Sequence, residues 1–193
     1  MRKPWGCHEG GTWGFDRREN GLSPGGVDSY MSYGLSWANA SNTPFRLFKH
    51  YIHEGGVSTP LIARWPGQIP NKGSLRHDVC HIVDIMATCC DLSGAAYPER
   101  FHDQTITPLE GKTLLPLLRG EKREDHESLS WEHFGNKGIR KGSWKLVSVK
   151  KGNWELYNLV KDRTETNNLV RERQDKAEEL KKDYEDWAKR IGV

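Results

Sequence analysis

The stretch from Arg171 to the C-terminus places Ala177, Leu180, Tyr184, Trp187 and Ile191 at spacings of 3, 4, 3 and 4 among charged residues. That is one apolar stripe on a helix, and it must be covered by something. A self-standing coiled coil needs three to four heptads, and here the repeat lasts about two. The helix therefore belongs on a sheet, and the preceding sequence supplies one. Leu129 to Phe134, a turn at Gly135-Asn136, a short strand near Ile139, Trp144 to Val149, a turn at 150–153 and Trp154 to Leu159 read as an antiparallel meander.

Upstream the pattern is different. The first ~45 residues are rich in glycine without periodicity and read as irregular loop. Thr59 to Trp65 reads as a short strand stopped by Pro66-Gly67. Ile82, Ile85, Met86 and Cys89 recur at helical spacing ahead of Gly94, predicting a buried helix. A second short helix is expected from about Lys112, with Leu114, Leu115, Leu117 and Leu118 turned inward and Gly120 closing it. The expected organisation is an α/β portion over residues 1–125 and a small α+β subdomain, an antiparallel sheet packed on one helix, over 126–193.

Composition excludes several classes. Eight Trp, six Tyr and five Phe in 193 residues argue for a packed fold. The net charge of +3 comes from interleaved charges, so no nucleic-acid face is implied. The apolar run Ile82 to Cys90 is broken by Asp84 and is too short to span a membrane. No signal peptide is expected, because Pro4, Gly6, His8 and Glu9 stand where an apolar run is needed. Cys7, Cys80, Cys89 and Cys90 show no C-x-x-C spacing and read as buried thiols beside a helix. His50-x-x-His53 and His77-x-x-x-His81 have spacings compatible with shared metal ligation. The plainer reading of both pairs is surface or hydrogen-bonded imidazole, and no metal site is expected. Neither a phosphate loop nor a G-x-S-x-G elbow is present.

The run from Pro44 to Pro60, with Lys49, Glu54, Gly55, Gly56 and Pro60, followed by Trp65-Pro66-Gly67, resembles the signature of the type I sulfatases, the arylsulfatase family within the alkaline phosphatase superfamily. The resemblance continues in order through Asp84-x-x-x-Thr88, Glu110-Gly111-Lys112-Thr113-Leu114, Arg140-Lys141-Gly142-Ser143-Trp144-Lys145-Leu146, Glu155-Leu156-Tyr157-Asn158-Leu159 and Asp162-x-x-Glu165-x-x-Asn168-Leu169. It implies the C-terminal part of an alkaline-phosphatase-like sulfatase domain. It also implies hydrolysis of sulfate esters, with Lys49 binding the sulfate and His50 and His53 as weaker candidates for substrate contact. The family's formylglycine motif and its calcium ligands have no counterpart here, so the chain by itself is expected to be inactive, with calcium needed only in the complete enzyme.

A sulfated small molecule or glycan is the implied substrate, and a periplasmic, extracellular or lysosomal setting is implied by the family alone. Two alternatives remain: a noncatalytic remnant that binds a sulfated ligand or a partner chain, and part of a phosphate or phosphonate ester hydrolase. Gly55 and Gly56 are expected to permit positive φ or close backbone approach, and Glu54 to satisfy nearby loop amides. An unpaired apolar edge at Thr59–Trp65 predicts self-association.

Overall fold

The structure is a computed structural model that describes residues 34–70 and 73–193. They divide into two compact units. The first holds residues 34–59 with Ser130–Ile139 and Ser143–Val193; the second holds Pro60–Leu129 and Arg140–Gly142. This grouping puts residues 34–59 with the sheet rather than with the segment that follows them in the chain.

The first unit opens with helix α1 (Gly34–Ser41) and a loop that leads into the single-turn helix α2 (Glu54–Val57). α1 lies where irregular loop was expected; the expectations for residues 1–33, Cys7 included, lie outside the described residues. The meander is present as β3 (Leu129–His133), β4 (Asn136–Lys141), β5 (Trp144–Ser148) and β6 (Trp154–Asn158), hydrogen-bonded in that order. β5 and β6 pair antiparallel with Leu146 opposite Leu156. The β3–β4 turn is Phe134-Gly135, one residue earlier than the sequence signals suggest. Both of its residues have positive φ, 51° and 86°, as a two-residue type I′ loop requires.

Side chains alternate across a strand, and here both faces of the sheet are covered. On one face Ile139, Leu146 and Leu156 meet Ala177, Leu180, Tyr184 and Ala188 of α5 (Gln174–Ile191), with Trp144, Trp154 and Trp187 packed around them. Each fully buried leucine contributes roughly 1.5–3 kcal/mol. The predicted stripe thus packs on the meander as expected, except that Ile191 is exposed. On the other face Val147, Tyr157 and Leu159 pack against Ile52 from the loop before α2. Gly138 of β4 makes that contact possible: a Cβ there would lie 2.3 Å from Ile52 Cγ2.

The second unit contains α3 (Val83–Ser93), the two-residue strands β1 (Arg100–Phe101) and β2 (Gln104–Thr105), and α4 (Leu115–Leu118). β1 and β2 were not visible as a hairpin in the sequence. α4 behaves as expected, burying Leu115 and Leu117 next to the buried Leu114, with Gly120 at φ 83°.

Two expectations fail in this unit. Residues 59–65 form no strand, and Ile62 is 90% exposed; a strand exists only where a neighbour completes its ladder, and no described strand pairs with this segment. α3 is rotated relative to its predicted orientation. Asp84, Ala87 and Thr88 face inward, while Ile82, Ile85, Met86, Cys89 and Leu92 face out, Ile82 being 77% exposed. Cys80 is exposed as well, so the expectation of buried thiols is not met.

The rotation of α3 follows from what Asp84 demands. Its carboxylate is fully buried and accepts hydrogen bonds from the amides of His81 (2.9 Å) and Lys112 (2.9 Å), from Arg123 (3.0 Å) and from His126 (2.7 Å). Burial by itself would raise its pKa, but the four donors outweigh that and hold it below the usual carboxylate range. Thr88, one turn on, donates to the Asp84 carbonyl and accepts from the Leu114 amide. The D-x-x-x-T and E-G-K-T-L segments therefore form one structural clasp. Gly111 sits in it because a Cβ there would fall 2.1 Å from the Val83 carbonyl oxygen.

Candidate functional site

The loop from Pro44 to Ser58 lies on the sheet face opposite α5 through Ile52, and its backbone folds tightly on itself. A Cβ at Gly55 would fall 2.3 Å from the carbonyl oxygens of Arg46 and Leu47, and one at Gly56 would fall 1.9 Å from that of Tyr51. Only glycine fits at either place. Close backbone approach, not positive φ, is what the two glycines supply.

Glu54 begins α2 and is held by charges that the sequence does not place together. Lys145 of β5, fully buried, donates to Glu54 Oε1 at 2.7 Å and ion-pairs with Glu165 Oε1 at 3.0 Å. Glu165 Oε2 accepts the Glu54 amide at 2.7 Å. The Glu54 carboxylate thus binds Lys145, not the loop amides it was expected to serve, and the amide role falls to Glu165. Glu165 sits at φ 58° in a turn built by Asp162, whose carboxylate accepts from the amides of Thr166 and Asn167. Asn168 then ties that turn to β6 by accepting from the Leu156 amide at 3.1 Å.

A second polar chain runs beside the first. Arg46 donates to the Glu165 carbonyl at 2.7 Å and to the Tyr157 hydroxyl at 3.3 Å. Tyr157 donates to Glu155, and His53 Nε2 lies 3.1 Å from the same carboxylate oxygen, which fixes the proton on that ring nitrogen. The hydrogen bond from His53 is the largest influence on Glu155. With the Tyr157 hydroxyl and Arg46 it outweighs desolvation and brings the carboxyl down to about 2. Burial, then the adjoining Glu155, pushes the Tyr157 hydroxyl up.

The three sequence candidates separate. His53 is buried and engaged with Glu155, so it acts inside the loop's anchorage. Lys49 is exposed at the corner of the Phe48–Tyr51 turn, which is closed by the Tyr51 amide donating to the Phe48 carbonyl at 3.1 Å. His50 occupies the third position of that turn at φ 100°, and Leu47 stands at φ 68°. Glycine or asparagine is usual at such positions, and a larger side chain there costs about 1–3 kcal/mol. Lys49 is therefore displayed between two strained residues on a loop whose far side is bolted down by Glu54, Lys145, Glu165 and Arg46.

His50 is half-buried and stacks on His133 with ring centres 5.4 Å apart. His133 and Phe134 escaped the sequence reading, and the signal that marks Phe134 is its conformation, not its spacing. Among the described residues no group of three or more His, Cys, Asp or Glu is arranged to hold a metal ion. Asp84, Glu54 and Glu165 already have cationic partners, so these three carboxylates do not fit a calcium ion.

The covered antiparallel meander, the E-G-G loop locked to it by a buried lysine and the D-x-x-x-T clasp all lie within a stretch that a known family matches. The family described as N-sulphoglucosamine sulphohydrolase, C-terminal, matches residues 45–190, and the chain belongs to that family. It is 32% identical over 128 residues to an uncharacterized sulfatase of Schizosaccharomyces pombe, a match covering 65% of this chain and 23% of that protein. It is 39% identical over 85 residues to the N-acetylgalactosamine-6-sulfatase of Canis lupus familiaris, covering 44% of this chain and 15% of the relative. The crystal structure of Ps i-CgsB shares the fold at a TM-score of 0.51 and 22% identity, over 64% of this chain and 27% of that one. The chain thus spans less than a quarter of the length of the curated relatives named here.

Proposed function

We propose that this chain is the C-terminal part of an enzyme that hydrolyses sulfate esters and that it contributes Lys49 as a sulfate-binding residue. The observation that carries the reading is the display of Lys49 at an exposed, strained turn anchored by a buried ion cluster. A compact ammonium carried on an anchored turn suits an oxyanion, and its charge counts most as negative charge grows on the sulfate oxygens in the transition state. The reaction breaks the ester linkage and adds water, so that the sulfate and the protonated alcohol leave. The nucleophile and the ligands that would hold a calcium ion would be supplied by residues outside those described. His53 acts by holding the loop through Glu155, whereas His50 contacts the substrate. The substrate class is a sulfated sugar, in keeping with the similarity to the N-acetylgalactosamine-6-sulfatase of Canis lupus familiaris. The setting is periplasmic, extracellular or lysosomal.

The exposed apolar stripe of α3 and segment 59–65, with which no described strand pairs, support a role as part of a larger fold, and they favour self-association when the chain is alone. The same features are the ground for the second reading, a noncatalytic module docked on a partner chain. The test is hydrolysis of a chromogenic aryl sulfate by the 193-residue chain and by the same chain joined to the N-terminal half of a sulfatase relative. The joined protein should turn over and the chain alone should not. A joined protein that folds as one species without turnover would favour the noncatalytic module.

A further inference from the structure

Three rings from two separate segments meet, one of them on His50, the residue that follows Lys49. His50 and His133 stack at 5.4 Å and 30°, His50 and Phe134 lie 5.8 Å apart, and His133 and Phe134 lie 4.5 Å apart. Phe134 is 67% exposed and sits in the β3–β4 turn at φ 51°, where asparagine or aspartate with glycine is the favoured pair. A phenylalanine there gains little burial and strains the backbone, so the fold does not account for it.

The tip is nonetheless held firmly. Glu132 Oε1 accepts the Gly135 amide at 2.6 Å, and Asn136 donates to the His133 carbonyl at 3.0 Å. Asn136 also accepts the Lys150 amide at 3.1 Å. The stem of Lys150 covers Gly135 so closely that a Cβ there would fall 3.1 Å from Lys150 Cγ. An exposed aromatic in a strained and rigid turn, in ring contact with the residue that follows Lys49, is organised to touch something other than its own protein.

We propose that His50, His133 and Phe134 form a contact face for the sugar ring that carries the sulfate, setting specificity for the alcohol portion of the substrate. This rests on the reading of Lys49 as the sulfate-binding residue. The chemistry suits a pyranose: its C–H face lies on an apolar ring face, while imidazole nitrogens exchange hydrogen bonds with its hydroxyls. Lys49 takes the anion and the rings take the body that bears it. His133 and Phe134 are thus specificity-determining residues brought by the sheet to a loop 80 positions away in the chain, roughly, and invisible to motif spacing.

The test is the aromatic ring resonances of the full chain by NMR, titrated with N-acetylgalactosamine 6-sulfate, with N-acetylgalactosamine and with inorganic sulfate. The sulfated sugar should shift the signals of His50, His133 and Phe134 in a saturable way. The unsulfated sugar should do the same more weakly, and inorganic sulfate should leave Phe134 unmoved. Phe134→Asn should weaken binding of both sugars at least roughly fivefold without lowering Tm, since asparagine suits φ 51°. Equal shifts with inorganic sulfate, no shift with either sugar, or undiminished binding by Phe134→Asn would overturn the proposal. Binding of the unsulfated sugar reads the rings apart from Lys49, so failure of the sulfatase reading alone would leave that response intact.

Discussion

Removing Lys145 should do more damage than removing any single leucine of the core. Its ammonium sits 2.7 Å from one carboxylate and 3.0 Å from another, both buried. At an effective dielectric of about 20 those contacts correspond to about 6 and about 5.5 kcal/mol of gross attraction. Most of this is cancelled, because taking each ion out of water costs several kcal/mol. Lys145→Met removes the attraction and leaves two carboxylates facing each other in the interior, so a loss of about 3–5 kcal/mol is expected at neutral pH. That is a large share of the roughly 5–15 kcal/mol that holds a domain together. The assay is urea unfolding of the full chain followed by circular dichroism. Adding Glu54→Gln and Glu165→Gln to Lys145→Met should recover much of the loss, because the uncompensated charges are then gone. A single variant that loses under about 1 kcal/mol would refute the reasoning, and so would a triple variant no more stable than the single one.

Gly138→Ala should cost about 1–3 kcal/mol by overpacking, since its Cβ would meet Ile52 Cγ2 at 2.3 Å; Ile52→Ala in the same chain should return part of it, as unfolding midpoints would show. The lowered carboxyls of Glu155 and Asp84 contribute stability that is present above their unfolded pKa values and lost as pH falls through the folded ones. Stability measured by urea unfolding should therefore fall between about pH 4.5 and about pH 2, and Glu155→Gln should flatten that limb. Ile82→Lys with Met86→Glu on the exposed stripe of α3 should change stability by less than about 0.5 kcal/mol while reducing self-association in sedimentation velocity.

How far the sequence reveals the fold depends on the element. The α5 stripe and the meander were legible because one face of each reads as a clean period. Lys145 was not, because Trp144-Lys145-Leu146 reads as an ordinary alternation with the lysine in solvent; only the loop lying on the second face buries it. The orientation of α3 is hidden in the sequence for a related reason. Ile82, Ile85, Met86 and Cys89 make the more apolar stripe, but four donors converging on Asp84 set the rotation, and three of them come from Lys112, Arg123 and His126. Segment 59–65 has strand composition, but no described strand pairs with it, so composition alone does not decide its structure. At the candidate site the E-G-G loop and Lys49 were visible as a pattern. Phe134 was hidden, since the turn signals favoured Gly135-Asn136 and nothing in spacing marks a strained aromatic.

The central claim, that the anchored turn presents Lys49 to a sulfate, is tested most directly by Lys49→Ala in the chain joined to an intact N-terminal half. A charge-assisted hydrogen bond is worth about 1.5–3 kcal/mol, so kcat/KM for an aryl sulfate should fall at least roughly tenfold while the unfolding midpoint stays put. Lys49→Arg should recover only part of the loss, because a planar fork does not replace a point ammonium. A kcat/KM for Lys49→Ala within about twofold of the parent would contradict the account and return Lys49 to an ordinary solvated loop residue.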